Sequence, residues 1–166
     1  YVLEKGFGYL SRLCEKDSFV DFGCGKGRAL AVAAYYGFKN ITGIDFSPAL
    51  CSIAEENIDG IKALYPGTAF NILCEDAVNY KIPKDQAVFF FFNPFDEVVM
   101  LTVVKNMLAS LKENPRKVYV MYANSVYKEI FLSAGFEEIY YFRKMRYLEM
   151  TILTKELQNS NSNAPA

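Results

Sequence analysis

The chain has 166 residues, 52% of them hydrophobic and 22% charged, with a formal net charge of −1 at pH 7. These values are typical of one globular domain, and we expect a single domain over residues 1–157. The near-neutral charge argues weakly against nucleic acid as the partner, because such surfaces usually carry a basic excess. The sequence contains no signal-peptide pattern and no apolar run of the roughly 18 residues that span a membrane. A cytoplasmic protein without membrane association is therefore expected.

Histidine is absent from the sequence, which excludes several kinds of enzyme. Ser-His-Asp and Cys-His catalytic sites cannot form, and no metal site is expected. Any proton transfer would have to use carboxylates, tyrosines, lysines or water. The four cysteines have no CxxC spacing and are interpreted as reduced thiols. They are Cys14, Cys24, Cys51 and Cys74.

The predicted elements alternate between helices and strands along most of the chain. Apolar residues at approximate helical spacing predict an N-terminal helix within residues 1–15. The next elements, in order, are strand 17–22, helix 28–38, strand 40–45, helix 48–58, strand 70–74, strand 86–92, helix 97–111, strand 117–122, helix 126–134, strand 137–142 and strand 146–154. The last two strands are predicted to form a hairpin through residues 143–145. Residues 158–166 are small and polar, and we expect a disordered tail there.

Alternation of this kind requires a parallel sheet with helices on both faces. Because two strands close the chain in succession, one of them is expected to enter the sheet antiparallel. The prediction is an α/β fold: a three-layer αβα sandwich with a doubly wound, mostly parallel seven-stranded sheet and an antiparallel strand near the C-terminus. Ligands of such folds bind beyond the carboxyl ends of the strands, where the strand order reverses.

The turn after the first strand is rich in glycine and reads DFGCGKGR over residues 21–28. Glycines permit a tight turn and let a ligand approach the backbone closely. A dinucleotide-binding fingerprint, GxGxxG, would place its third glycine at position 28, where the chain has Arg28. The phosphate-binding pattern GxxxxGK[ST] does not occur. The loop therefore favours neither a nicotinamide dinucleotide nor a nucleoside triphosphate.

The segment VDFGCGKG, residues 20–27, resembles motif I of the class I S-adenosylmethionine-dependent methyltransferases. In that family the acidic residue before the glycines holds the methionine amino group, and the loop backbone lies against the methionine and the ribose. The resemblance implies S-adenosylmethionine as the cofactor. The cofactor-binding residues that it implies in this segment are Asp21, Phe22, Gly23, Cys24 and Gly25.

Two more aspartates end strands at positions that fit the same cofactor. Asp45 follows Asp21 by about 24 residues, near the spacing at which an acid reaches ribose hydroxyls. A carboxylate can accept two hydrogen bonds from a vicinal diol. The resemblance implies that Phe46 lies along the adenine ring and that Asp76 and Ala77 bind its amino-group edge. Each aspartate alone could be a helix cap, but the three together with the glycine spacing favour a cofactor site.

The segment FNPF, residues 92–95, follows the fourth strand. It resembles the Asn/Asp-Pro-Pro-Tyr/Phe segment of methyltransferases that act on amino groups. The resemblance implies that Asn93 is catalytic, holding the target nitrogen, and that it lies against the cofactor. Only one proline separates Asn93 from Phe95, which departs from the family pattern. A strand-terminating Asn-Pro turn explains the same residues without a functional role.

Three functions stay open from the sequence. The first is a methyltransferase acting on an amino group, or another nitrogen or oxygen, of a small molecule or protein. The second is a nucleic-acid methyltransferase, which the net charge disfavours, and the third is a non-catalytic S-adenosylmethionine-binding module. The candidate general bases are Asp96, Glu97 and Tyr122. The basic cluster Arg143, Lys144 and Arg146 is interpreted as a solvated turn.

Overall fold

One sheet of seven strands runs through the computed structural model, which describes residues 1–145 and 148–158. The strands are β1 (Ser18–Phe22), β2 (Asn40–Asp45), β3 (Ala69–Cys74), β4 (Val88–Phe92), β5 (Lys117–Ala123), β6 (Glu137–Met145) and β7 (Leu148–Glu156). Their order across the sheet is β3-β2-β1-β4-β5-β7-β6. β7 is antiparallel to both of its neighbours, and the other neighbouring pairs are parallel. The predicted fold class is therefore confirmed.

Helices cover both faces of this sheet. The described residues form α1 (Val2–Leu10), α2 (Arg28–Tyr35), α3 (Pro48–Asp59), α4 (Glu97–Glu113) and α5 (Lys128–Ser133), with short 3₁₀ turns at Lys62–Leu64 and Ala77–Asn79. Buried residues of α1, α2 and α3 form one apolar core with the sheet. Buried residues of α4 and α5 form the second core on the opposite face. This is the three-layer arrangement that the alternation of elements predicts.

Local sequence signals explain why several elements begin where they do. Every residue of β1 is buried, as expected for a parallel strand covered on both faces. The helix α3 begins after Ser47, whose side chain accepts a hydrogen bond from the Leu50 N–H, and Pro48 occupies its first position. The α4 helix is capped in the same way by Asp96, which accepts from the Val99 N–H. Asp96 is therefore a capping residue.

The N-terminal helix occupies Val2–Leu10, within the predicted range 1–15, and residues 11–13 form a turn in which the Ser11 hydroxyl donates to the Gly8 carbonyl oxygen. One predicted boundary is wrong. Residues 143–145 belong to β6 instead of a hairpin turn, with Arg143 paired to Glu149. Charged side chains suit this strand because it is at the edge of the sheet and faces solvent.

The connection between β6 and β7 falls on residues 146 and 147, outside the described residues, and so does Arg146 of the predicted basic cluster. The predicted disordered tail, 158–166, also lies outside them apart from Gln158. Within residues 1–145 and 148–158, no helix has the length and apolar character needed to cross a bilayer.

The topology determines where a ligand can bind. β1 lies between β2 and β4, so the strand order reverses at β1. The carboxyl ends of these parallel strands meet at one edge of the sheet, and the crevice at such a reversal is the usual ligand site of doubly wound folds. The glycine loop leaves β1 at this point.

Candidate active site

The glycine loop between β1 and α2 is held in a conformation that other residues rarely adopt. Gly23 has φ of 78° and Gly25 has φ of 54°, both in the left-handed region. The N–H groups of Gly23 and Cys24 both donate to the carbonyl oxygen of Ile44 in β2, at 2.8 and 3.0 Å. The loop therefore turns back over the end of the neighbouring strand.

The two glycines have different surroundings. A Cβ added at Gly23 would lie 2.5 Å from the Cβ of Pro94, so the loop packs directly on the segment that follows β4. A Cβ added at Gly25 would meet no atom within 4 Å. Gly23 is thus required by a protein contact, whereas Gly25 faces open space that a ligand can fill.

Asp45, the last residue of β2, is bonded to the backbone of this loop. Its Oδ2 accepts a hydrogen bond from the Gly25 N–H at 2.9 Å, and its Oδ1 accepts from the Ser47 N–H at 3.0 Å. Asp45 as a whole residue is only 8% exposed. Because each carboxylate oxygen has two lone pairs, Asp45 can still accept bonds from a ligand.

Asp21, at the carboxyl end of β1, is a buried acid of the site with a strongly raised pKa. It is 3% exposed, and no described residue donates a hydrogen bond to its carboxylate. Burial, and secondarily the charge of Asp45, raises its pKa from 3.8 to about 8. An unpaired buried carboxylate is unfavourable, so a cationic ligand group beside Asp21 would be strongly favoured.

A cavity of about 270 Å³ opens beside Asp21. Asp21, Gly23 and Cys24 form one wall, Leu3 of α1 forms another, and Phe92 and Ala123 come from the ends of β4 and β5. Arg28 also lines the cavity. The sequence predicted neither Arg28 nor α1 as part of the site, because helical periodicity gives no information on where a helix packs.

The side chain of Phe22 does not face this cavity. It is fully buried in the core, where its ring stacks on that of Phe91 with centroids 4.9 Å apart. Successive strand residues point to opposite faces, so Asp21 and Phe22 cannot both face the site. At this edge of the sheet, Phe22 can therefore contact a ligand only through its main chain.

Cys24 also points inward. A Cβ added at Gly43 of β2 would lie 2.9 Å from the Cys24 Sγ, so the thiol is directed toward that strand. Burial raises the pKa of this thiol far above its ordinary value, so the thiol is inert at neutral pH. A contribution of Cys24 to ligand binding must therefore come mainly from its backbone.

Three further cofactor candidates follow the ends of β2 and β3, which pair side by side. Phe46, directly after Asp45, is 77% exposed. Asp76 is exposed, and its Oδ1 accepts from the Val78 N–H at 3.1 Å, which leaves the other oxygen available. Ala77 is buried. The topology therefore brings Asp45, Phe46, Asp76 and Ala77 to the edge where the glycine loop lies.

Asn93 follows β4 with φ of 42°, in the left-handed region. Its Oδ1 is buried and has no hydrogen-bond partner among the described residues. An unpaired buried acceptor costs about 1–3 kcal/mol, which a ligand N–H would recover. Asn93 directly precedes Pro94, which packs against Gly23 of the glycine loop.

Tyr122, a candidate base from the sequence, is fully buried in β5. Its hydroxyl oxygen accepts a hydrogen bond from the Tyr127 N–H, and burial raises its pKa further above 10. A buried phenol that already accepts this hydrogen bond does not support Tyr122 as the general base.

Comparison with known proteins identifies the family of this chain. The sequence model of the methyltransferase domain family matches residues 19–114, more than half of the chain. The chain belongs to that family. It is a class I S-adenosylmethionine-dependent methyltransferase, an enzyme with S-adenosylmethionine as its cofactor. Among curated protein sequences, none matches this chain.

Solved structures share the fold of this methyltransferase at low sequence identity. An S-adenosylmethionine-dependent methyltransferase from Methanosarcina mazei is 13% identical with a TM-score of 0.70, covering 89% of this chain and 96% of its own. Magnesium protoporphyrin IX methyltransferase from Synechocystis, with bound S-adenosylmethionine, is 14% identical with a TM-score of 0.67, covering 94% and 78%. An rRNA methylase from Streptococcus thermophilus is 12% identical with a TM-score of 0.66, covering 95% and 98%. These structures include small-molecule and RNA enzymes, so the fold does not exclude nucleic acid as the acceptor.

The residues at the sheet edge fit the cofactor of this family. Asp21 is a buried carboxyl group without a hydrogen-bond donor among the described residues, and its ionised form suits a cationic amino group. Gly25 leaves open space above the loop, and Asp45 retains free lone pairs beside it.

Proposed function

We propose that this methyltransferase transfers the methyl group to a nitrogen of a small molecule or protein, and that Asn93 holds the target N–H. The observation that carries this proposal is the buried, unpartnered Oδ1 of Asn93. It lies beside Pro94, which packs on Gly23 of the glycine loop. An acceptor N–H bonded to this oxygen would be fixed close to the cofactor.

The cofactor contacts belong to the same proposal. Asp21 pairs with the methionine amino group, and the backbone of residues 22–25 lies along the methionine and ribose. Asp45 accepts from the ribose hydroxyls with the lone pairs that its bonds to Gly25 and Ser47 leave free. Phe46 covers the adenine, while Asp76 and Ala77 bind the adenine edge.

The chemistry requires little acid–base help from the protein. When bound, S-adenosylmethionine supplies a methyl group on a sulfonium, which already makes a good leaving group. The protein then contributes mainly alignment. The Asn93 Oδ1 accepts a hydrogen bond from the N–H of the substrate and leaves the nitrogen lone pair free to attack the methyl group. The proton lost from nitrogen passes to solvent. The complete lack of histidine is compatible with a reaction that needs little acid–base catalysis.

A nucleobase amino group is the second candidate acceptor. Phe92, immediately before Asn93, is 60% exposed and lines the cavity. An exposed aromatic ring beside an amide acceptor is an arrangement on which an unstacked base can bind. This candidate differs from the first in the acceptor alone.

A screen with radiolabelled S-adenosylmethionine tests both candidates. The purified protein is incubated with pools of amines, amino acids, peptides and single-stranded RNA, and label transferred to each pool is counted. We expect label on a nitrogen-containing acceptor, where it is recovered as an N-methyl group after acid hydrolysis. Label found only on oxygen or carbon would contradict the role of Asn93.

A further inference from the structure

Arg28 is a cation at the cavity mouth that the proposed contacts do not use. It is the first residue of α2, it is exposed, and it lines the same cavity as Asp21. Within residues 1–145 and 148–158, its guanidinium makes no salt bridge. The cavity lining therefore includes both a buried acid and an arginine whose guanidinium makes no salt bridge within the described residues.

The backbone around Arg28 adds further donors. The preceding residue, Gly27, has no side chain to cap α2, and the first intrahelical bond is made by the Ala31 N–H to the Gly27 carbonyl oxygen at 3.2 Å. The N–H groups of the first turn thus lack intrahelical partners, and the positive end of the helix dipole lies there. Ala29 of this turn also lines the cavity.

We propose that Arg28 and the first turn of α2 bind the α-carboxylate of the cofactor's methionine, opposite the amino group held by Asp21. A zwitterion would then meet a matching pair of charges in one cavity. Guanidinium groups favour carboxylates because they can donate two parallel hydrogen bonds. This inference rests on the proposed cofactor placement and adds Arg28 as a residue that discriminates between cofactor analogues.

Decarboxylated S-adenosylmethionine supplies a direct test, because it keeps the sulfonium and the amino group and lacks the carboxylate. Titration calorimetry measures the affinity of the wild type and of Arg28→Gln for both compounds. We expect Arg28→Gln to weaken S-adenosylmethionine binding by about tenfold or more. The same substitution should change the affinity for the decarboxylated compound by less than about threefold, since the partner of Arg28 is already missing.

Lys26→Gln is the matched control. Lys26 is an exposed cation of the same loop that does not line the cavity, so its loss tests for a general effect of charge. The affinity of the Lys26→Gln variant for S-adenosylmethionine should equal that of the wild type. An equal loss for both compounds in Arg28→Gln, or an equal loss in Lys26→Gln, would overturn the inference alone. A wild type that binds neither compound would overturn the proposed cofactor site as well.

Discussion

The Oδ2 of Asp45 accepts a hydrogen bond from the N–H of Gly25 at 2.9 Å. This bond joins the end of β2 to the glycine loop that leaves β1. The residue expected to bind the ribose therefore also shapes the loop on which the cofactor lies, and substitutions at Asp45 act on both.

Asp45→Ala should weaken S-adenosylmethionine binding by about 1.5–3 kcal/mol, the scale of a lost hydrogen bond to a charged group. It should also lower the melting temperature of the free protein, because the N–H groups of Gly25 and Ser47 lose their acceptor. Asp45→Asn should lose less cofactor affinity and less thermal stability, since its amide oxygen can still accept a hydrogen bond. Calorimetry and thermal unfolding measure the two effects separately.

The ribose contact is isolated by a 2′-deoxyribose analogue of the cofactor. The wild type should bind this analogue less tightly than the cofactor, and Asp45→Ala should distinguish the two compounds little. If both proteins discriminate equally, Asp45 supports the loop without touching the ribose.

Gly25→Ala should reduce cofactor affinity by more than about tenfold while the protein stays folded. The added methyl group meets no protein atom but enters the proposed cofactor space, and the strain at φ of 54° costs about 1–2 kcal/mol. Gly67→Ala is the matched control, because its added methyl also meets no atom and it lies far along the chain from the loop. Normal binding by a folded Gly25→Ala would remove the loop from the site.

The pH dependence of binding should follow Asp21. A bound ammonium favours the ionised carboxylate, so affinity should rise by up to about tenfold per pH unit until pH approaches about 8, the pKa of Asp21 in the free protein. Binding at pH 6–7 should then release a proton, which calorimetry in buffers of different ionisation enthalpy detects. Asp21→Asn should abolish the proton release. Proton release that persists in this variant would assign the linkage to another group.

Stability of the free protein should change in the opposite direction with pH. The pKa of Asp21 is raised on folding, so its contribution to the free energy of unfolding is fully present below about pH 4 and is lost as the pH rises through about 8. The slope is at most about 1.4 kcal/mol per pH unit. Urea unfolding from pH 5 to 8 should show this decline in the wild type and a flatter profile in Asp21→Asn.

Asn93→Gly should separate catalysis from binding, because glycine accepts the positive φ of this position without strain. We expect cofactor affinity to stay within about threefold and methyl transfer to the acceptor found by the screen to fall by about 100-fold. Initial rates at saturating cofactor measure the loss. Transfer at the wild-type rate would show that Asn93 only terminates β4.

The sequence predicted the fold well because each element carries a local signal. Ser47 and Pro48 mark the start of α3, and the apolar run of β4 marks a central strand. The hairpin at 143–145 was predicted wrongly because β6 is at the edge of the sheet, where charged residues are compatible with a strand.

The site could be predicted only in part. Motif spacing predicted that Asp21 and Asp45 lie at the same edge of the sheet, but the sequence could not show that Asp45 bonds the loop backbone, since this depends on the left-handed conformation of Gly25. It also could not assign Phe22 to the core, because a strand buried on both faces is apolar on both and gives no alternation to interpret. The packing of α1 over the cavity depends on long-range contacts that no local pattern encodes.

The contact between Gly23 and Pro94 couples the sequence variation of two segments that lie far apart in the chain. A side chain cannot be gained at position 23 unless position 94 loses volume in the same lineage, because the two would overlap. Diversification of the segment FNPF, residues 92–95, toward new substrates is therefore restricted at Pro94 by the glycine loop. Natural variation should therefore keep glycine at position 23 wherever position 94 carries a side chain as large as proline.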